Sequence, residues 1–193
     1  MMEGNNGVTS KTPERILFGA GTIHKGLKYV TGTGWNFKES IVGATSGGSK
    51  LSIVPVIYDV PADGASVKTK GLRKKTGENA IMEVNMLELT QDIVQASTLG
   101  EISESEDENF ILIQSKHDIK EEDYWENISF VGKTIKGKPI IAILPDALCT
   151  SGFEPESKPD EGTVGKFTFE CHADIDSDDL SKLPWKIYYP KTV

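Results

Sequence analysis

The chain has little of what usually announces a function. Its 193 residues hold two cysteines, Cys149 and Cys171, and three histidines, His24, His117 and His172. The cysteines stand outside any metal-type spacing, which excludes a zinc knuckle or a CxxC redox pair. Buried thiols in a reducing compartment are the expectation, with a disulfide between them as the alternative. The longest apolar runs, near Phe110 to Ile113 and Ile140 to Leu144, fall far short of the roughly 20 residues a membrane helix needs. The N-terminal stretch MMEGNNGVTSKTPE lacks an apolar signal core, so secretion by that route is not expected. Positive charge is scarce as well: a formal net charge of −8 argues against a surface built to grip nucleic acid.

What is present describes a soluble globular chain. Charged residues make up 26% and hydrophobic ones 37%, and 19 glycines with few helix-period segments lean towards a mainly β fold. The length suits one domain with a real core, residues 13–193, behind a polar N-terminal arm, residues 1–12. Short strands are predicted over Arg15 to Thr22 and Leu27 to Val30, and further strands over Glu39 to Thr45 and Lys50 to Val60, separated by Ser46-Gly47-Gly48-Ser49. Pro55 marks the last of these as an edge strand or a bulge, because proline cannot donate to the ladder. In Ala80 to Leu89, Met82, Val84 and Met86 share one face. Thr90 caps a short helix, Gln91 to Thr98, with Gly100 beyond its end. Glu101 to Asn109 carries five carboxylates and reads as a solvated loop. Strands follow over Phe110 to Lys116, Tyr124 to Ile135 and Pro139 to Leu144. Val164 to Cys171 alternates most cleanly, with Phe167, Phe169 and Cys171 on one face. A last strand covers Trp185 to Tyr189. Eight to ten strands and one helix make a β-sandwich or barrel the expected architecture.

Chemical motifs fail on inspection. In GATSGGSK, Gly43 to Lys50, the serine and lysine of a phosphate loop are transposed and a strand follows where a helix should. Asp174-Ile175-Asp176-Ser177-Asp178 spaces its carboxylates like a calcium loop, yet Asp179 stands at the glycine position and Trp185 at the bidentate glutamate position. The histidines share no spacing with one another. No nucleophile elbow or metalloprotease helix motif occurs, so the expectation is a protein that is not an enzyme and needs no cofactor or metal.

One stretch stands apart. Val60 to Asn79, VPADGASVKTKGLRKKTGEN, has no helix or strand period and packs Lys68, Lys70, Arg73, Lys74 and Lys75 together in an acidic chain. A loop this long is functional or disordered as a rule. A solvated loop and an assembly loop that docks on an acidic protein surface both fit the charge; nucleic-acid binding fits less well, because no aromatic interleaves with the lysines.

Around this loop the chain resembles the major tail proteins, or tail tube proteins, of long-tailed bacteriophages and prophages of Gram-positive bacteria. The resemblance rests on VGATSGG (Val42 to Gly48), DGA (Asp63 to Ala65), KGLR (Lys70 to Arg73) and EVNMLELT (Glu83 to Thr90). PERILFGAGTIHKG near the start and KFTFECHADIDSDDLSKLPWKIYYP near the end are also similar to the family. The acidic stretch Glu101 to Asn109 and the loop Phe153 to Gly162 carry none of this resemblance. The resemblance implies a β-sandwich or barrel with one flanking helix, forming hexameric rings that stack head to tail into a tube through which phage DNA passes without specific binding. It implies self-association and, as partners, a tape measure protein, a tail terminator and distal tail or baseplate proteins, with the virion tail as location and the host cytoplasm as the place of assembly. On this reading the five basic residues make the inter-ring contact, and Glu83 is a candidate for the lumen. A tube of a contractile tail or injection particle shares the same features; a soluble ligand- or metal-binding β-sandwich, motivated by Asp174 to Asp179, is the alternative of another class.

Overall fold

The computed structural model describes residues 7–157, 159–160 and 162–191. Half of the expected N-terminal arm, residues 1–6, lies outside them. In the other half, Thr9 N–H donates to Thr12 Oγ1 at 2.8 Å in an exposed turn that leads into a 3-10 turn, Thr12–Glu14.

The described residues form a mainly β structure with antiparallel pairing throughout. Its strands are β1 (Leu17–His24), β2 (Tyr29–Val30), β3 (Gly34–Trp35), β4 (Thr45–Asp59), β5 (Arg73–Met86), β6 (Glu101–Ser103), β7 (Leu112–Gln114), β8 (Trp125–Thr134), β9 (Pro139–Cys149), β10 (Gly165–Cys171) and β11 (Lys186–Tyr188). One α-helix, α1 (Gln91–Thr98), follows β5. The main sheet runs β1-β8-β9-β10-β5-β4, with β11 also paired to β9. Its outer strands, β1 and β4, approach each other, so the sheet curls round its contents. Just ahead of β4, Val42 N–H donates to Ile23 O at 3.0 Å and helps to draw the two ends together.

Alternation fixes what lies inside. Ala80, Met82, Val84 and Met86 of β5 and Phe167, Phe169 and Cys171 of β10 are buried, as the period of two requires. They pack with Trp125, Ile128, Leu144, Ala147 and Cys149. The apolar run in β9 does not alternate because both faces are covered: Leu144 joins this core, while Ile141 and Ile143 join Leu27 and Val131 in a second cluster beneath Trp35 and Phe37. Helix α1 closes one side of the main core through Ile93 and Ala96. Thr90 Oγ1 accepts from Ile93 N–H, as the capping pattern predicts. The left-handed residue at its end is Leu99 (φ 49°), whereas the sequence points to Gly100. Gly100 is needed for a different reason, since a Cβ there would sit 2.8 Å from Ile113 Cγ2 as β7 passes.

Several assignments change: Glu101–Ser103, within the expected solvated loop, forms β6, and β9 runs on past Leu144 to Cys149. Glu39 to Ala44, within the strand expected over Glu39 to Thr45, is turn and irregular chain apart from an isolated bridge between Ile41 and His24, and Thr45 opens β4. Ser46-Gly47-Gly48-Ser49 is not a break between strands but an irregularity inside β4, with Gly47 and Gly48 at positive φ. The 60–79 loop is shorter than its composition suggests, because its last seven residues belong to β5. Pro55 lies on an edge strand beside a second register shift, between Val56 and Ile57, as a proline in a ladder demands.

A buried ion pair anchors the chain before β8. Lys116 Nζ lies 2.5 Å from Asp123 Oδ1, with both side chains under 10% exposed (8% and 4%). The second Asp123 oxygen accepts Lys120 N–H at 2.8 Å. Removing Asp123 would strand a buried ammonium, so Asp123→Ala is expected to cost about 3–5 kcal/mol in denaturant unfolding. Phe169→Ala, which opens a cavity in the main core, is expected to cost a similar ~3–5 kcal/mol by the same measurement.

Candidate functional site

The feature with most to offer a partner is the outer half of the β4–β5 hairpin. Within the body β5 has two neighbours, β10 from Ile81 to Met86 and β4 throughout. Beyond Ala80 only β4 remains. Val54 to Asp59 and Arg73 to Asn79 therefore form a two-stranded ribbon about 20 Å long. A turn-rich loop, residues 60–72, closes it, and Val60 N–H donates to Leu72 O at 2.7 Å across its mouth. The burial pattern follows the pairing. It alternates from Ala80 to Met86, and every residue from Arg73 to Thr76 is exposed.

The ribbon is apolar where it has no cover. Val54, Val56, Ile57, Tyr58 and Val60 are each about half exposed, and Val67 is 77% exposed. An isolated two-stranded hairpin is marginally stable in water, and a contiguous exposed apolar surface of this kind marks an interaction site. Each half-exposed Val or Ile would return about 1 kcal/mol on full burial.

The five basic residues of this region divide into two sets. Arg73 Nε meets Asp59 Oδ1 at 2.6 Å, and Lys75 Nζ meets Glu78 Oε2 at 2.5 Å. Glu78 also accepts Leu183 N–H at 3.0 Å, which ties the C-terminal segment to the root of the ribbon. The Lys75 and Leu183 bonds hold the Glu78 carboxyl below the usual range. Lys68, Lys70 and Lys74 have no ion-pair partner among the described residues. Lys68 and Lys70 sit on the loop and Lys74 on β5, so the structure gathers all five at one end of one hairpin. Glu83 lies away from them on the body, 2.6 Å from Lys50 on the neighbouring strand.

The other residues singled out by sequence are occupied locally. Asp174 Oδ1 accepts Asp176 N–H, and Asp179 Oδ1 accepts Ser181 N–H, so these carboxylates shape their own turns. The described residues hold no group of three side chains able to bind a metal ion. Cys149 and Cys171 are free and buried; burial pushes the Cys171 thiol up to about 11 and raises that of Cys149. His117 is exposed, and His172 packs edge-on against Tyr124.

His24 is the site that sequence reasoning undervalued. It lines a cavity of about 390 Å³ with Gly21, Thr22, Phe37, Ile41, Val131 and Lys133. Ser40 Oγ donates to Asn36 O at 2.8 Å and so accepts from His24 Nδ1 at 2.9 Å. That places the proton on Nδ1 and leaves Nε2 to accept from the Thr22 hydroxyl at 2.8 Å. Both nitrogens are engaged, and the ring acts as a strut joining β1 to the segment before β4. The His24–Ser40 connection closes a segment of turns and the two-residue strands β2 and β3, which no sequence period could have flagged.

No helix among the described residues is long and apolar enough to cross a membrane. Neither a scan against protein-family models nor a search of curated proteins returns a match. The class established by the geometry is a mainly antiparallel β protein with a projecting hairpin.

Burial lowers the His24 pKa from its ordinary value near 6.5. The neutral ring therefore contributes stability that is fully present above that value and is lost as pH falls through the lower folded value. Unfolding free energy measured from pH 7.5 to 5 should fall more steeply for the native protein than for His24→Gln; equal slopes would show that the ring does not titrate in this way.

Proposed function

We propose that the protein is a structural subunit of a phage tail tube, forming hexameric rings that stack head to tail into a hollow conduit for genome delivery. The observation that carries this reading is the hairpin arm: about 20 Å of ribbon with apolar side chains on both faces and three uncommitted lysines at one end. Such an arm is stable when something covers it. A partner that is another copy of the same chain makes the contact heterologous, and a heterologous contact that does not close generates a filament. The mainly β body and the resemblance of the segments around the arm to tail tube proteins support the same assignment. The reading makes the arm the inter-ring contact and leaves catalysis no part in the role.

The lumen charge needs refinement under this proposal. A conduit for DNA works best when its wall repels phosphate, since a basic wall would hold the duplex through many contacts. Glu83, offset by Lys50 across the strand pair, supplies little net charge by itself. Its neighbours in the assembled wall must add the rest.

Replacing residues 61–71 by a two-residue Asn-Gly turn preserves the pairing of Val60 with Leu72 and removes the loop with Lys68 and Lys70. Negative-stain images of the concentrated native protein should show six-fold rings or hollow tubes. The shortened variant should keep the native circular dichroism spectrum and fail to stack. Normal tubes from the shortened variant would remove the loop from the contact, and native protein that stays monomeric at all concentrations would refute the assignment.

A further inference from the structure

The arm requires a dock that is both apolar and acidic, and this chain contains one. Residues 104–111, between β6 and β7, carry Glu104, Glu106, Asp107 and Glu108 and no lysine or arginine. Beside them Phe110 and Ile111 stand 69% and 57% exposed, with Ile102 and Leu112 about half exposed. The loop is shaped from within: Asp107 Oδ1 accepts from Asn109 N–H at 3.0 Å and from Asn109 Nδ2 at 2.8 Å, and Phe110 N–H donates to Asp107 O at 3.0 Å. Those bonds occupy Asp107 and present Phe110 outward. Glu104, Glu106 and Glu108 have no ion-pair partner among the described residues.

The two exposed ribbons are complementary in kind. One combines aliphatic residues and Tyr58 with three free cations; the other combines Phe110 and aliphatic residues with three free carboxylates. In chain order they stand on either side of the buried half of β5: the arm includes its first residues, Arg73 to Asn79, and the acidic ribbon follows Met86 by way of α1. A chain that carries two complementary surfaces can give one to each of two neighbours.

Resting on the stacking role proposed above, we infer that the β6–β7 ribbon of one copy is the dock for the β4–β5 arm of the next. Phe110 and Ile111 meet Val54, Val56 and Tyr58, while Glu104, Glu106 and Glu108 face Lys68, Lys70 and Lys74. The apolar contact supplies most of the free energy, and the charges set the encounter and the register. The same acidic charge keeps two docks, and the same basic charge two arms, from pairing with their own kind.

Charge reversal tests the assignment. One variant carries Glu104→Lys, Glu106→Lys and Glu108→Lys; another carries Lys68→Glu, Lys70→Glu and Lys74→Glu; a third carries all six changes. In sedimentation velocity at low salt each triple variant should assemble at least about tenfold less than the native protein, and the six-fold variant should recover to within about twofold. Failure of the six-fold variant to recover, with its melting temperature unchanged, overturns the pairing. An arm variant that is blocked beside an acidic-ribbon variant that assembles normally overturns the dock and leaves the stacking role standing. Native protein that never assembles overturns both. Should a reversal variant melt early, Phe110→Ser replaces it: lost assembly supports the dock, and native assembly overturns it.

Discussion

The number of hydrogen-bonded neighbours beside β5 organises this molecule. From Ile81 to Met86 the strand is paired on both edges, its alternate side chains are buried, and the main core forms around it. From Arg73 to Ala80 it is paired on one edge only. The ladder continues but burial stops within a few residues. The same strand is thus a central element of the body at one end and an unsupported arm at the other. Its backbone groups facing away from β4 in that outer half have no ladder partner from β10, which is the usual condition of a sheet edge.

Sequence patterns revealed the body more readily than the arm for a reason rooted in burial. Phe167, Phe169 and Cys171 alternate because one face of β10 is packed, and the period is visible wherever one face is dry and the other wet. Thr90 and the helix behind it were readable because capping is local chemistry. Arg73 to Thr76 is exposed on both faces, so nothing in the residue types enforces a period there, and the lysines look like a loop. Its strand conformation comes from pairing with β4 over a long register, a non-local fact. Ser46 to Ser49 misled in the opposite sense: glycines at positive φ that usually end a strand here bend one that goes on. The five basic residues were visible as a cluster, but their division into paired and unpaired members depends on Asp59 and Glu78, whose positions follow from register alone.

An arm with this composition carries a risk of indiscriminate pairing, and the structure limits it in identifiable ways. Pro55 removes a donor from the edge strand, and the register shift beside it twists the ribbon away from a flat template. Three lysines of one sign at the tip repel a second arm. A body with an excess of carboxylates attracts the tip instead. Under the proposed stacking role, solubility before assembly and specificity during it draw on the same charges, with the apolar faces kept apart until a complementary surface is met.

The register shift between Val56 and Ile57 has a further consequence. It leaves Thr76 without a partner, so Val56 opposes Gly77 while Ile57 opposes Lys75. One unpaired residue reverses the parity of β5 beyond it. In the body, even-numbered residues of β5 point to the core; past Thr76, odd-numbered ones share that side. Lys75 and Arg73 are thereby turned towards Glu78 and Asp59, and Lys74 towards the side of Val54, Val56 and Tyr58. A single extra residue in the backbone sorts adjacent lysines into internal fastener and outward probe, a distinction that neither side chain carries in its own chemistry.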